Sequence, residues 1–357
     1  MLACVCEKVK TSIVMLLLGE FARISASVRQ SPCRDEFTMP AFHIQRSQTI
    51  DADTRDVYDA VRDYSTWTRW SPWLQVDPDA EVTVSDPSNE LGATYHWKGE
   101  LVGEGSMTHR QLQAPKSLSA NASVQADLAF VKPFKSQSKV EFEIEPVMTD
   151  GRPGSKITWH MRGKLPWFLF WMRSMMETFV GMDYERGLLM FKQFVETGEV
   201  LSKLEIKGVV SEPDRMIIGQ RGGCTMDDIG CHMAATLERV KSHYNADDER
   251  VHEWASLYHT TSDLRKRWFD YTAGYLADAG TPVPDGCVAD TVPAGKFLLV
   301  RHIGEYAHLG NAWSGGIQYI RYKKLKMAKA IGCEVYRNDP ETTETKDLIT
   351  DVYIALK

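Results

Sequence analysis

Aromatic side chains, rather than a nucleophile paired with a base, occupy the positions at which this chain is best equipped to meet a small molecule. Tyr258 and Tyr275 lie seventeen residues apart, and Tyr336 and Tyr353 repeat that interval, each inside a strand-like segment (WASLYHT, FDYTAGYLA, CEVYRND, TDVYIAL). Trp67, Trp70 and Trp73 recur every third residue in STWTRWSPW. Three exposed indoles are costly, so protein or ligand must cover most of them. His96, His109 and His160 are expected to point inward from strands, but a lone histidine on a strand is usually a hydrogen-bonded or exposed residue, and no acid–base pair is nominated here. No Gly-x-Gly-x-x-Gly, phosphate-loop, His-Glu-x-x-His or Gly-x-Ser-x-Gly segment occurs, so nucleotide binding, zinc hydrolysis and a serine-elbow hydrolase lack their local signatures. The seven cysteines include no Cys-x-x-Cys pair and read as free thiols of a reducing compartment. No metal and no cofactor is expected.

These residues must be positioned by a chain of 357 residues, 43% hydrophobic, which is long enough for two ordinary domains. A net charge of −6 gives no clustered basic face, and no nucleic-acid partner is expected. The basic run Arg321, Lys323, Lys324, Lys326 and Lys329 reads as the solvated end of a helix. Near the start, Lys8, Lys10 and the apolar run Ile13 to Leu18 imitate a secretory signal, but Gly19-Glu20 interrupts the run and it is too short to cross a bilayer. Residues 1–39 are therefore read as a disordered leader or an over-extended start. The expected protein is bacterial and cytoplasmic, with no membrane partner, and the sequence leaves its oligomeric state open.

Residues 40–199 read as one domain. Ala41 to Ile50 alternates as a strand, and Asp51 and Asp53 offer N-cap oxygens to a helix whose apolar face is Val57, Ala60, Val61 and Tyr64. Six strand candidates follow between Ala80 and Met161 (EVTVS, TYHWKGELV, SMTHRQLQ, SLSANASVQ, KVEFEIEPV, KITWHMRG), parted by turn chemistry, which predicts an antiparallel meander. From Trp171 to Thr197 the period changes to 3.6, with Met172, Met175, Met176, Phe179, Met182, Leu189, Met190 and Phe194 near one face of a closing helix.

Residues 200–357 contain a repeat. Ile229, Met233, Leu237 and Val240 share their spacing with Leu309, Trp313, Ile317 and Ile320, and each helix follows an apolar strand ending in glycine, MIIGQRGG or FLLVRHIG. Two copies of strand–helix–strand–strand imply a pseudo-twofold domain whose helices pack on an antiparallel sheet, with a concave seam suited to a ligand.

Two resemblances sharpen this. The run TIDADTRDVYDAVRDYSTWTRWSPW, with GATYHWKG and MDYERGLLMFKQFVE, resembles the START-like polyketide cyclase/dehydrase (SRPBCC) superfamily. That resemblance implies a helix-grip fold with an apolar cavity between sheet and last helix, lined by Trp70, Trp97, Phe130, Phe134, Trp159, Trp167, Phe168 and Phe179; plain core packing is the competing account of the same stripes. The second half, through RHIGEYAHLGNAW, CEVYRNDPE and TDVYIALK, resembles the GyrI-like (AraC effector-binding) family. It implies a groove around an acid, assigned to Glu334 with Tyr336 and Tyr353 as neighbours and Asp351 as the alternative acid. Trp254, Tyr258, Tyr275, Tyr306 and Trp313 would form its walls. Ser256 is the counterpart of Glu334 in the first copy, so the groove has one acid. The fold class is thus α+β throughout, a helix-grip domain followed by a duplicated β-α-β-β domain. The expected function is binding or sensing of a small hydrophobic molecule, aromatic or cationic. The alternative is hydrolysis of a strained or electrophilic compound by Glu334 with Tyr336 or Tyr353, and the sequence leaves open whether the protein is an enzyme.

Overall fold

The structure is a computed structural model that describes residues 41–132, 135–149, 151–165, 173–243, 249–260, 262–263 and 266–357. The leader and the expected cavity residues Phe134, Trp167 and Phe168 lie outside them. The chain divides between Val200 and Leu201 into two compact units.

The first unit is a seven-stranded antiparallel sheet in the order β1-β7-β6-β5-β4-β3-β2. Its strands are β1 (Ala41–Ile50), β2 (Glu81–Val84), β3 (Thr94–Gly99), β4 (Gly103–Gln113), β5 (Ala122–Lys132), β6 (Ser136–Thr149) and β7 (Arg152–Lys164). The expected strand TYHWKGELV is cut after Gly99, where a three-residue turn carries the chain into β4. Helix α1 (Thr54–Arg62) starts as the sequence predicts: Asp53 Oδ1 accepts the amides of Arg55 and Asp56, and Val57 and Val61 are buried beneath it. A 3-10 turn (Tyr64–Thr66) leads to the short α2 (Trp67–Trp70), and the long α3 (Arg173–Thr197) packs along β1.

The second unit is an eight-stranded sheet in the order β12-β9-β11-β10-β14-β15-β13-β8. It comprises β8 (Ser202–Glu212), β9 (Arg215–Thr225), β10 (Val251–Tyr258), β11 (Trp268–Ala277), β12 (Val288–Val292), β13 (Gly295–Gly304), β14 (Met327–Tyr336) and β15 (Ile349–Leu356). All its pairings are antiparallel. Helix α4 (Ile229–Lys241) follows β9 and α5 (Gly310–Tyr322) follows β13. Outward from the central β10·β14 pair, both directions run third strand, then first strand: β11 and β9 on one side, β15 and β13 on the other. Strands β8 and β12, which the sequence reading omitted, extend the two edges.

Both helices lie on one face of this sheet. Helix α5 covers Leu298, Val300, Val352 and Ile354, and α4 covers Cys224, Tyr258, Tyr271 and Ala273. Gly316 lets α5 approach closely, since a Cβ there would stand 2.4 Å from Ile354 Cδ1. The opposite face carries a separate apolar cluster that includes Ala255, Leu257, Cys333, Val335 and Tyr353.

Candidate functional site

In the first unit Trp67, Trp70 and Trp159 are covered by protein. Trp70 and Trp159 are each 1% exposed. Trp159 stacks on Tyr184 at 4.0 Å and meets Trp67, Trp70 and Trp73 edge-on, while Trp70 also packs on Phe191. Trp97 and Phe179 are half-buried against the same core, and Trp97 packs on Phe130. The expected inward histidines need correction. Only His109 shares the core face, stacked on Tyr64 with its Nε2 at 2.8 Å from the Arg62 carbonyl. His96 alternates with Tyr95 and Trp97, and His160 alternates with Trp159 and Met161, so the two-residue period of a strand sends both to the opposite face. There His160 meets His43 at 2.9 Å.

In the second unit the register of the central strands builds a polar site inside an aromatic wall. Ser256 on β10 stands directly opposite Glu334 on β14, and Trp254 opposite Tyr336. These four therefore point to the helix-bearing face, as do Tyr258 and Tyr275. Glu334 is 2% exposed. Its Oε1 accepts from Trp313 Nε1 on α5 at 2.6 Å, and its Oε2 lies within hydrogen-bond distance of the hydroxyls of Tyr258 at 3.1 Å and Tyr336 at 2.9 Å. Tyr336 also lies 3.2 Å from Ser256 Oγ, which donates to Met233 Sδ on α4 at 3.2 Å. Trp313 meets Tyr258 edge-on at 5.5 Å, Tyr306 meets Tyr336 at 5.5 Å, and Trp254 stacks on Tyr275 at 3.7 Å. Trp254, Tyr275, Tyr306, Trp313 and Tyr336 are all half-buried.

Among the described residues no cationic side chain neutralises Glu334, so burial pushes its carboxyl above the usual range, and the bonds from Trp313, Tyr336 and Tyr258 offset only part of that. Burial and the adjacent carboxylate push both tyrosines well above their ordinary value. A buried acid bounded by aromatic faces can attract a cation or transfer a proton.

Two expected members of this site lie elsewhere. Cys333, not Glu334, pairs with Tyr353, and Val335 pairs with Asp351. Tyr353 and Asp351 therefore face the other side of the sheet, because one residue along a strand reverses the side chain's direction. There Arg301 grips both oxygens of Asp351, at 2.7 and 2.9 Å, and Arg337 Nε adds a third bond at 2.7 Å. Burial alone would raise Asp351, but the two guanidinium groups outweigh it and hold the carboxyl below its ordinary value. Arg337 also donates to Tyr353 OH at 2.6 Å. Asp351 therefore does not share the face of the sheet on which Glu334 lies, and it is held there by the two arginines. The sequence reading named Ser256 as the counterpart of Glu334 but gave neither it nor Met233 a contact in the site, where Ser256 Oγ lies between Tyr336 OH and Met233 Sδ.

Among the described residues no cluster of His, Cys, Asp and Glu could hold a metal ion, Cys224, Cys231, Cys287 and Cys333 are free, and no helix is long and apolar enough to cross a membrane.

Comparison with protein families gives two matches, the polyketide cyclase/dehydrase and lipid transport family over residues 41–196 and the GyrI-like small molecule binding domain over residues 209–357. Comparison with curated protein sequences gave no match. Among solved structures, a chain from the complex of EcmrR with DNA is similar at 13% identity and a TM-score of 0.34, over 49% of this chain and 64% of that one. This chain thus spans less than two thirds of that relative. SAV2435 bound to tetraphenylphosphonium is similar at 14% identity and a TM-score of 0.34, over 43% of this chain and 94% of that one. CalU16 from Micromonospora echinospora is similar at 15% identity and a TM-score of 0.28, over 44% and 84%. The chain accordingly joins a START-like domain of the polyketide cyclase/dehydrase (SRPBCC) family to a GyrI-like small-molecule-binding domain.

Proposed function

We propose that the protein binds a small hydrophobic organic molecule and that its second unit selects a cationic, aromatic one over Glu334. The observation that carries this reading is a carboxyl group only 2% exposed, held by three neutral donors and bounded by half-buried aromatic rings. A cation placed there gains from the carboxylate and from the ring quadrupoles together, and both terms strengthen as water is excluded. The mirrored strand order around β10·β14 supports reading this unit as two copies of one β-α-β-β element, with Glu334 at their seam. The first unit, read as a helix-grip fold, would hold an apolar molecule between its sheet and α3. The free thiols fit a reducing compartment such as the cytoplasm.

The test is a titration of full-length protein with lipophilic cations and neutral molecules of matched shape, followed by tryptophan fluorescence. Glu334→Gln should weaken cations by about tenfold to a hundredfold, or about 1.4 to 2.8 kcal/mol, and leave neutral ligands within about twofold. Equal loss for both classes would refute the charge-based reading. A second reading is favoured by the raised carboxyl lying 2.9 Å from Tyr336 OH, a pair able to move a proton during hydrolysis of an electrophilic compound. In that case Glu334→Gln would bind the compound and fail to turn it over.

A further inference from the structure

We propose that Glu334 is held as a neutral carboxylic acid in the ligand-free protein, so that an entering cation displaces its proton one for one. The inference deepens the cation-receptor reading above and rests on it for the ligand, but the acid itself is argued from a count of protons. Three contacts run in series: Met233 Sδ to Ser256 Oγ at 3.2 Å, Ser256 Oγ to Tyr336 OH at 3.2 Å, and Tyr336 OH to Glu334 Oε2 at 2.9 Å. A thioether sulfur only accepts, and the two hydroxyls bring two protons. Two protons cannot fill three hydrogen bonds. With Glu334 ionised, Tyr336 donates to it and Ser256 to Met233, which leaves the 3.2 Å Ser256–Tyr336 contact without a proton; with Glu334 protonated, the carboxyl donates to Tyr336, Tyr336 to Ser256 and Ser256 to Met233, so that all three are filled. Every contact is then satisfied, while Oε1 still accepts from Trp313 and Oε2 from Tyr258.

Among the described residues, no group known to face Glu334 opposes this. From β10 come Trp254, Ser256 and Tyr258, from β14 Tyr336, from β15 Val352, from α4 Met233 and from α5 Trp313, with Tyr306 packed on Tyr336. The titratable members are tyrosines, and the nearby charges of Arg301, Arg337 and Asp351 lie on the other face of the sheet. Burial raises the carboxyl's affinity for its proton in the same sense.

When a cation arrives, the Glu334 O–H bond breaks, its electron pair stays on Oε2 and the proton leaves to solvent. Tyr336 then turns its hydroxyl proton from Ser256 to the new carboxylate, and no heavy atom need move. The proton lost equals the charge gained. Cation affinity should therefore rise by about tenfold for each pH unit while the acid form predominates, and level off above it. A neutral ligand should show no such slope.

Full-length protein is titrated calorimetrically with tetraphenylphosphonium, which carries no titratable proton, between about pH 5 and pH 8 in pairs of buffers with different ionisation heats. The expected result is release of close to one proton per cation at the acid end. Ser256→Ala removes the acceptor that makes the third proton necessary, and should lower that release and strengthen binding at acid pH. Binding with no proton release at any of these pH values overturns the proposal. The acid is tested separately by infrared spectroscopy of the ligand-free protein: a protonated carboxyl band at neutral pH should be absent from Glu334→Gln. If tetraphenylphosphonium does not bind but the band is present, the receptor reading fails and the neutral acid stands; if the band is missing, the proposal fails whatever binds.

Discussion

Asp351→Asn isolates the acid that holds the sheet together from the acid proposed to meet the ligand. Asp351 is 1% exposed and accepts three hydrogen bonds from two arginines, whereas those arginines remain 31% and 27% exposed. Removing one partner of a buried ion pair costs about 3 to 5 kcal/mol because the remaining charge is stranded. Here water reaches both guanidinium groups, so the lower end applies, about 3 kcal/mol. Two compact units need not unfold together, and native-state hydrogen exchange at β14 and β15 is the suitable assay. Protection there should fall by about a hundredfold, while cation affinity at the opposite face changes by less than about twofold. The pH dependence has a definite sign. A carboxyl whose folded value lies below its unfolded value of 3.8 contributes stability that is present above 3.8 and lost as pH falls through the folded value, and the variant should lack that acid limb. A loss under about 1 kcal/mol, or a loss of cation binding like that of Glu334→Gln, would refute the separation of the two faces.

Three further outcomes follow. Gly332 holds φ at +142°, and a Cβ there would stand 1.9 Å from the Tyr353 carbonyl oxygen, so Gly332→Ala should cost about 3 kcal/mol and displace Glu334 two residues on, as read by thermal melting and cation titration. Burial lowers His302 to about 4 from 6.5, so the unfolded chain takes up its proton first; about 3 kcal/mol of stability should be lost as pH falls between those values, and His302→Gln should flatten that slope in urea titrations. Trp159→Ala should cost about 4 kcal/mol in thermal unfolding, since the ring is stacked on Tyr184 and buried among tryptophans. A cost below about 1 kcal/mol would favour a ligand-lining wall over a packed core.

The sequence made these elements legible where the period and the chemistry agreed. Asp53 before Val57 and Val61 announces a capped amphipathic helix, and the matched spacing of Met233 and Trp313 announces two equivalent ones. Strands β8 and β12 escaped notice because edge strands are half wetted and lack a buried apolar run. The errors at Asp351, Tyr353 and His160 have one cause. Residue types show that a segment is a strand, but the face each side chain takes depends on register against its neighbours, and a shift of one residue reverses it. Tyr336 and Glu334 lie two apart on one strand and could be placed together from sequence; Tyr353 sits on another strand whose register only the fold supplies.

The asymmetry of the seam has a physical reason within the proposed duplication. Tyr258 reaches across to Glu334 as Tyr336 reaches across to Ser256, and Trp313 stands to Glu334 as Met233 stands to Ser256. A perfect repeat would set two carboxyls directly opposite each other, with Cβ atoms about 5 Å apart and no cation to separate them. Such a pair cannot ionise twice in a buried place, and its two protons would come off in widely separated steps. Serine in one copy removes that conflict and supplies an oxygen that accepts from Tyr336 when the single acid is protonated. One charge at the centre of an aromatic seam then matches one charge on a ligand, which is the stoichiometry the proton count demands.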